Sequence, residues 1–314
     1  MKLLAGSSHP RLANEISNFL NIKLTPCVLD KFNNNEIRVE IKENIRNEHV
    51  FIIQTGANVK DYSINDILIE TMIMIDACKR SNSKSITLIM PFYPYARQDK
   101  KNESRSPISA KVVANMLEGS GIDRLVVMDL HAQQIQGFFN IPVDNLYSLP
   151  LVMKIFQDTN DFVIISPDAG GIKRALKFGQ YMNIPVLFMH KDRNYQVTGQ
   201  IDRMILVGDS TLLKDKTVLI LDDMTDTAGT LLKCAEECSK YNIKDCQAVI
   251  THGVFSDLGL KRISETSYIS KIYSSNTLPE ISHKRIEYFS ISKMIANVIN
   301  CLVTGNSISD LFPN

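Results

Sequence analysis

The sequence lacks an excess of charge of either sign. Thirty-five Lys and Arg stand against thirty-four Asp and Glu, a net charge of +1, so there is no global basic field for nucleic acid or an anionic membrane. Any anion this chain binds must be held by local geometry. A long apolar run is missing too. The richest stretch, Ile67 to Ala77, is interrupted by Glu70 and Asp76, and nothing approaches the roughly 18 residues that span a bilayer. The start, Met1-Lys2-Leu3-Leu4-Ala5-Gly6-Ser7-Ser8, turns polar after five residues and does not read as a signal peptide. The six cysteines, at 27, 78, 234, 238, 246 and 301, form no CxxC pair. Cys234 and Cys238 are four apart in a helical stretch with no histidine cluster nearby to complete a zinc site. Buried reduced thiols in a cytoplasmic protein are the expectation. No low-complexity segment or short-period repeat is visible.

What is present is ordinary globular material in some quantity. At 314 residues, with 44% hydrophobic and 22% charged, the chain is long enough for two domains of about 150 residues. Strand-like runs are Lys2–Ala5, Val50–Gln54, Ile86–Met90, Leu125–Asp129, Val163–Ser166, Val186–Met189, Val218–Leu221 and Ala248–Thr251. Helical patterns lie between them, at Arg11–Leu20, Asp66–Lys79, Ser109–Glu118, Gly171–Tyr181 and Thr227–Tyr241. Strands alternating with helices indicate an α/β architecture of parallel sheets covered on both faces. The strands are too many for one comfortable sheet. The stretch Asn140-Ile141-Pro142 to Pro150 breaks the periodic pattern, which suggests domains at 1–145 and 146–290. The last apolar segment, Ile291–Leu302, reads as a helix within 291–314 that returns to the first domain.

Ligands of parallel α/β sheets sit beyond the carboxyl ends of the strands, so the residues just after each strand carry the information. The sharpest run is Val218-Leu219-Ile220-Leu221-Asp222-Asp223-Met224-Thr225-Asp226-Thr227-Ala228-Gly229-Thr230. An apolar strand enters paired carboxylates, then a Thr-Ala-Gly-Thr turn that opens a helix. Backbone N–H groups of such a turn, the helix dipole and the Thr hydroxyls can seat a phosphate monoester. Asp222 and Asp223 would repel that phosphate and are better suited to sugar hydroxyls. An N-capped helix alone would explain Asp226 and Thr227 but not the two acids before them.

This segment resembles the phosphoribosyl-binding signature of phosphoribosyltransferases and ribose-phosphate pyrophosphokinases. Further blocks are similar to the second family. They are Ser166-Pro167-Asp168-Ala169-Gly170-Gly171 with Lys173-Arg174-Ala175, Tyr95-Ala96-Arg97-Gln98-Asp99-Lys100-Lys101, and Asp129-Leu130-His131 through Phe139. Glu43-Asn44-Ile45-Arg46 and Phe51-Ile52-Ile53-Gln54-Thr55 also match, so the resemblance spans nearly the whole chain in order. It implies two tandem phosphoribosyltransferase-like domains, each a mostly parallel sheet flanked by helices, the first on the ATP side and the second holding ribose 5-phosphate.

The same resemblance distributes roles. Asp222, Asp223 and the turn Asp226, Thr227, Ala228, Gly229 and Thr230 would hold ribose 5-phosphate, with Arg193 nearby. Phe32, Asn34, Asn35, Glu36, Arg97 and Gln98 would seat ATP. Phe32 can stack on a purine, Glu36 can accept from its amine, and a guanidinium such as Arg97 forks onto phosphate oxygens. Asn34 and Asn35 replace the family's usual Asp and Gly, and Asn tolerates the positive φ the turn needs. His131 and Asp168 would organise Mg²⁺, the expected cofactor. His190-Lys191-Asp192-Arg193 stands where the family carries Lys-Arg-Arg at the base of a catalytic loop, which makes Lys191 and Arg193 the catalytic candidates and Asp192 a departure.

The activity implied is transfer of the diphosphoryl group of Mg-ATP to the 1-hydroxyl of ribose 5-phosphate, giving 5-phosphoribosyl 1-diphosphate and AMP for nucleotide biosynthesis. Partners are these two substrates and other copies of the chain, a homohexamer by resemblance, with no nucleic acid and no membrane. Two alternatives stand beside it: a phosphoribosyltransferase that consumes the same diphosphate, and a catalytically silent synthetase-associated regulatory subunit. The silent subunits carry a large insertion near the catalytic loop that this sequence lacks.

Overall fold

The computed structural model describes residues 1–101, 103–156, 161–193 and 201–311, the side chains of 191–193, 201–202 and 310 excepted. Contacts within the chain separate two units. The first comprises Met1–Ser148, Thr277–Pro279 and Ser290–Asn314, and the second Leu149–Asn276 and Glu280–Phe289.

The first unit runs β1 (Lys2–Ala5), α1 (Pro10–Leu20), β2 (Cys27–Lys31), β3 (Ile37–Ile41), β4 (His49–Ile53), α2 (Ile64–Arg80), β5 (Ser85–Ile89), α3 (Ser109–Ser120), β6 (Arg124–Met128) and β7 (Val143–Leu146). Five strands form a parallel sheet in the order β1-β4-β5-β6-β7, and β2 and β3 pair separately as an antiparallel hairpin. The runs His-Val-Phe-Ile-Ile and Ser-Ile-Thr-Leu-Ile are almost continuously apolar because both of their faces are covered. Leu4, Val50, Ile52, Leu88 and Val127 pack with Met74 and Ile75 of α2 and Val113 and Leu117 of α3. α2 starts at a capping box in which Ser63 and Asp66 exchange hydrogen bonds, and its last turn carries Lys79 and Arg80; both ends thus complement the helix dipole.

The second unit runs α4 (Leu149–Ile155), β8 (Phe162–Ser166), α5 (Ile172–Met182), β9 (Val186–Arg193), β10 (Ile201–Val207), β11 (Thr217–Thr225), α6 (Gly229–Ser239), β12 (Asp245–Gly253), α7 (Asp257–Glu265), β13 (Lys271–Ser275) and β14 (Ile286–Phe289). Its seven strands lie in the order β10-β9-β8-β11-β12-β13-β14, parallel except for β10 against β9. The chain therefore lays down β8, β9 and β10 to one side, then returns to place β11 against β8 on the other. Val163, Ile165, Val218, Ile220 and Ile250 bury against Leu231, Cys234 and Cys238 of α6. On the opposite face Ile164, Leu219, Leu221 and Val249 meet Val152 of α4 and Ala175 and Phe178 of α5. The chain ends with α8 (Ser292–Thr304) in the first unit, packed on α1, where the Ser290 hydroxyl donates to Glu15 at 2.8 Å.

Several expectations need correction. β7 lies inside the stretch read as a junction. It is an edge strand, and Pro142 ahead of it needs no N–H while its carbonyl accepts from Leu125 N–H at 3.1 Å. The hairpin β2–β3, the edge strands β10 and β14, the neighbouring strand β13, and helices α4 and α7 went unread because polar residues or proline interrupt their apolar pattern. All six cysteines are unpaired; Cys78, Cys234, Cys238 and Cys246 are buried, but Cys27 and Cys301 are half-buried. Burial pushes the Cys27 thiol up to about 11 and Cys78 to about 12, so neither forms thiolate readily. Among the described residues no helix is long and apolar enough to cross a membrane.

Candidate active site

The reversal between β8 and β11 is a topological switch point, where adjacent strands send their following loops apart and leave a crevice at the carboxyl ends. β8 ends at Ser166, two residues before Asp168. β11 extends through Asp222 and Asp223 to Thr225, four residues beyond the end expected at Leu221. The two acids are thus strand residues with alternating sides. Asp223 is buried, and Arg174 on α5 approaches its carboxylate at 3.4 Å. Asp222 retains some exposed surface and accepts from Asp223 N–H at 3.0 Å. Desolvation, the Asp223 carboxylate and then the Asp168 carboxylate hold the Asp222 carboxyl well above the usual range, and Arg174 offsets this only in part. Asp168 caps the short turn Ala169–Gly171 by accepting from Gly171 N–H at 3.1 Å, while Ser166 Oγ donates to Asp168 O at 2.8 Å. A Cβ on Gly171 would stand 2.7 Å from Ser166 Oγ, which explains the glycine.

After Thr225 the chain turns through Asp226 and Thr227, and Ala228 takes φ 56°. That left-handed residue cannot belong to a right-handed helix, so α6 starts at Gly229 and not at Thr227 as expected. The turn rests on a segment that sequence reasoning missed. Val254 and Phe255 N–H donate to Thr225 O at 2.9 and 3.3 Å, Ser256 Oγ to Asp226 O at 3.4 Å, and Arg262 Nη1 to Thr227 O at 3.0 Å. Gly259 of α7 lies so close that a Cβ there would be 2.1 Å from Asp226 O. A trans peptide points its N–H opposite to its C=O. With the carbonyls of 225 to 227 drawn toward residues 254–262, the N–H groups of 226 to 228 are directed the other way, joining those of the first turn of α6. The result is a cluster of backbone donors beside a cluster of acids. The missed support had a faint signal: Ser256-Asp257 is an N-terminal capping pattern, and Leu260 and Ile263 keep helical spacing.

In the first unit the expected ATP-side residues fall on three loops. Phe32 and Glu36 close the β2–β3 hairpin, with Phe32 N–H donating to Glu36 O and Asn35 N–H to Phe32 O, both at 2.8 Å. Asn35 adopts φ 67°, the conformation for which Asn substitutes for Gly. Asn34 Oδ1 accepts from Glu36 N–H at 3.3 Å, so that side chain shapes the turn. Phe32 is 53% exposed, high for a large aromatic. Arg97 is exposed in the loop after β5, where Gln98 ties the loop to the start of α3 by accepting from Ser109 Oγ and Ala110 N–H. His131 is exposed in the loop after β6. β5 and β6 are neighbours, and Gln134 Nε2 to Asp99 Oδ2 at 2.6 Å links their loops, which groups Arg97, Gln98 and His131.

The other expected residues are divided between the two units. His131 belongs to the first unit and Asp168 to the second. Lys191 and Arg193 lie on β9, whose backbone stays extended to Arg193 by pairing with β10, with a bulge between Ile201 and Arg203; their side chains lie outside the described residues. Among the described residues no group of three or more His, Cys, Asp or Glu is arranged to hold a metal by itself.

Comparison with known proteins gives a consistent family. The model for the N-terminal domain of ribose phosphate pyrophosphokinase matches residues 1–121, and that for the phosphoribosyl transferase domain matches residues 150–281. Ribose-phosphate pyrophosphokinase 4 of Saccharomyces cerevisiae is 43% identical over 99% of this chain and 94% of its own. Ribose-phosphate pyrophosphokinase 2 of Schizosaccharomyces pombe is 41% identical over 99% of this chain and 97% of its own. The crystal structure of phosphoribosylpyrophosphate synthetase from Mycobacterium smegmatis superimposes with a TM-score of 0.88 at 36% identity, covering 97% of this chain and 99% of the other.

Proposed function

The chain belongs to the ribose-phosphate pyrophosphokinases, and from that membership we propose that it transfers the diphosphoryl group of Mg-ATP to the 1-hydroxyl of ribose 5-phosphate. The products are 5-phosphoribosyl 1-diphosphate and AMP. One observation carries the assignment of the sugar phosphate: the carbonyls of residues 225 to 227 are all engaged by the segment 254–262, which directs the following N–H groups away from it, next to Asp222 and Asp223. The N–H groups of Thr227 through Thr230 and the Thr hydroxyls receive the 5-phosphate. Asp222 and Asp223 accept hydrogen bonds from the ribose hydroxyls. A sugar diol brings donors to carboxylates that otherwise repel one another, so binding relieves part of that repulsion.

In the first unit Phe32 stacks on adenine and Glu36 accepts from its amine. Asn34 is occupied by its own turn, which leaves base recognition to those two side chains. Arg97 forks onto the triphosphate, and Gln98 positions the Arg97 loop. The sugar C1 oxygen attacks the β-phosphorus as AMP departs, and Lys191 and Arg193 stabilise the charge on the transferring group. Such chemistry asks the protein for positioning and charge stabilisation. Asp168 offers the hard carboxylate oxygen that Mg²⁺ prefers, while His131 suits contact through a metal-bound water. When bound, Mg²⁺ neutralises charge on the triphosphate.

Incubation with ATP, ribose 5-phosphate and Mg²⁺ should yield AMP, one for each sugar consumed. A phosphoribosyltransferase would instead need a base and show no ATP dependence. Absence of AMP under phosphate-replete conditions would overturn the proposal in favour of that enzyme or the silent subunit.

A further inference from the structure

The loop that carries Arg97 is built around a strained tyrosine. Tyr95 follows Pro94 and adopts φ 59°. Proline fixes its own φ at about −65°, and a proline followed by a positive-φ residue is the central pair of a type II turn. The second place of that pair ordinarily takes Gly or Asn. An aromatic residue there sets its Cβ against its own backbone and is an outlier. Such strain persists only where the surroundings over-determine it, and here they do. A Cβ on Gly56 would stand 2.6 Å from the Pro94 ring, so that ring is already pressed on the chain after β4. Tyr93 and Ala96 are buried, and the Tyr93 hydroxyl donates to Ala110 O at 2.9 Å. Tyr95 itself is exposed, and its hydroxyl donates to Asn65 Oδ1 at 2.6 Å.

Two consequences bear on Arg97. Tyr95 O accepts from Gln98 N–H at 3.0 Å, closing a turn that contains Arg97. The strained residue thus fixes the backbone from which the guanidinium leaves. Asn65 stands in the first turn of α2, as does Asp66, which pairs with Lys31 at 3.4 Å. Lys31 also donates to Asp61 O at 2.8 Å and lies 4.5 Å from the centre of the Tyr62 ring. Lys31 ends β2 and directly precedes Phe32. Adjacent residues of one helical turn therefore hold both loops read as receiving ATP, Asn65 the loop of Arg97 and Asp66 the hairpin of Phe32. A glycine at 95 would meet the positive φ without strain, but it would have no hydroxyl to make the tie.

We propose that Tyr95 is a positioning residue for ATP: its hydroxyl, bonded to Asn65, holds the Arg97 loop against backbone strain and in register with the Phe32 hairpin. This rests on the reading that Phe32 seats adenine and Arg97 the triphosphate. Without the bond, packing alone opposes the strain, and the loop spends less time in the binding conformation. Apparent affinity falls with that fraction. One hydrogen bond sets the scale at about fivefold.

Tyr95→Phe removes the hydroxyl alone, and Asn65→Ala breaks the same bond from the other end. Both side chains are exposed, so the core is untouched. Calorimetric titration should show Mg-ATP bound about fivefold more weakly by each variant. The double variant should lose no more than either single one, since the two residues serve one bond. Ribose 5-phosphate binding should change by less than about twofold in all three. AMP supplies a readout that general support of the fold would not move. It offers a base to Phe32 but lacks the two terminal phosphates, so it gains nothing from the placed Arg97 and should lose less than about twofold. Parent-like Mg-ATP affinity in Tyr95→Phe would overturn the proposal. Equal losses of Mg-ATP and AMP would overturn it too, reducing Tyr95 to a support for the first unit. Additive losses in the double variant would show two separate contacts and remove the tie between them. A parent protein that binds no Mg-ATP would overturn the underlying reading of Phe32 and Arg97 as well.

Discussion

The two sheets of this chain treat their strand ends in opposite ways. In the first unit the order β1-β4-β5-β6-β7 advances in one direction, whereas in the second the chain reverses between β8 and β11. The buried polar groups after β1, β4 and β6 of the first sheet are satisfied within the unit. Glu70, fully buried, accepts from Ser7 N–H at 2.8 Å, Ser7 Oγ at 2.7 Å and Gln54 Nε2 at 2.7 Å. Gln54 accepts from Ser8, Thr55 N–H donates to Ser8 Oγ, and Thr55 Oγ1 reaches Thr277 O. Asp129 is likewise taken up by Ser148 N–H and Oγ. At the second sheet's reversal, Asp168 and Asp223 lie close enough to Asp222 to repel its charge, with Arg174 opposing them in part. The buried groups beside the first sheet are closed by their own hydrogen bonds; the acids at the second sheet's reversal are left in a state that the proposed donor-rich, phosphate-bearing ligand would improve.

The largest test breaks the closed side. Glu70→Ala removes the buried acceptor of three donors and leaves a void, and should destabilise the protein by about 3–5 kcal/mol in chemical denaturation. Glu70→Gln keeps an acceptor oxygen and should lose clearly less. A cost below about 1 kcal/mol for Glu70→Ala would mean that the network is solvated and the contrast with the second unit is false.

Next in size is the floor of the turn proposed to hold phosphate. Alanine normally favours a helix over glycine by roughly 1 kcal/mol. At Gly259 the added Cβ would fall 2.1 Å from Asp226 O, and a backbone oxygen cannot swing aside as a side chain can. Gly259→Ala should therefore cost about 2–3 kcal/mol and weaken ribose 5-phosphate binding at least tenfold, with ATP binding nearly unchanged. Paired titrations of the two ligands decide it; equal losses would show that α7 supports the whole protein and not the turn.

This asymmetry also explains what could be read from the sequence. The long apolar strands and the amphipathic helices between them were legible because burial on both faces leaves continuous runs such as Val218–Leu221. The turn 226–230 was legible because its residue types have a mechanism. The support of that turn was not, since Ser256, Gly259 and Arg262 contact it across 30 or more residues of sequence and through carbonyl oxygens that every residue possesses. The end of β11 was misplaced because acids within a strand imitate a loop. On the ATP side Asn35 fulfilled the expectation of a positive φ, yet Arg97 and His131 sit on exposed loops whose chemistry the sheet order does not single out.

A smaller effect distinguishes charge frustration from ordinary burial. The Asp222 carboxyl titrates above its unfolded value near 3.8, so the folded protein binds the proton more tightly than the unfolded chain. Stability is then greatest below the unfolded value and falls as pH rises through the raised folded value. Asp222→Asn removes that loss. It should raise the stability of the ligand-free protein at neutral pH by about 1 kcal/mol, show no gain near pH 3.5, and bind ribose 5-phosphate more weakly. A denaturation series across pH tests the sign. A variant less stable than the parent at pH 7 would show that Asp222 is satisfied as it stands, as Glu70 is, and the difference between the two sets of strand ends would disappear.

The smallest effect is the counterpart to Gly259 in the first unit. Gly119 lies in the last turn of α3, on the exposed side, and a Cβ there would meet nothing within 4 Å. Its φ is not positive, the chain turning instead at Gly121 with φ 105°. Nothing in the fold therefore requires glycine at 119, and the residue adds only the entropy that folding must remove. Gly119→Ala should stabilise the protein by about 0.4–1 kcal/mol, mainly by narrowing the unfolded ensemble, with both ligands bound as before. The same substitution thus takes opposite signs in the two units: unhindered at 119, and blocked at 259 by a carbonyl of the turn proposed to receive phosphate. If denaturation gave the same sign at both sites, helix propensity would govern each position, and the close approach of α7 to Asp226 would lose its claim to shape the phosphate seat.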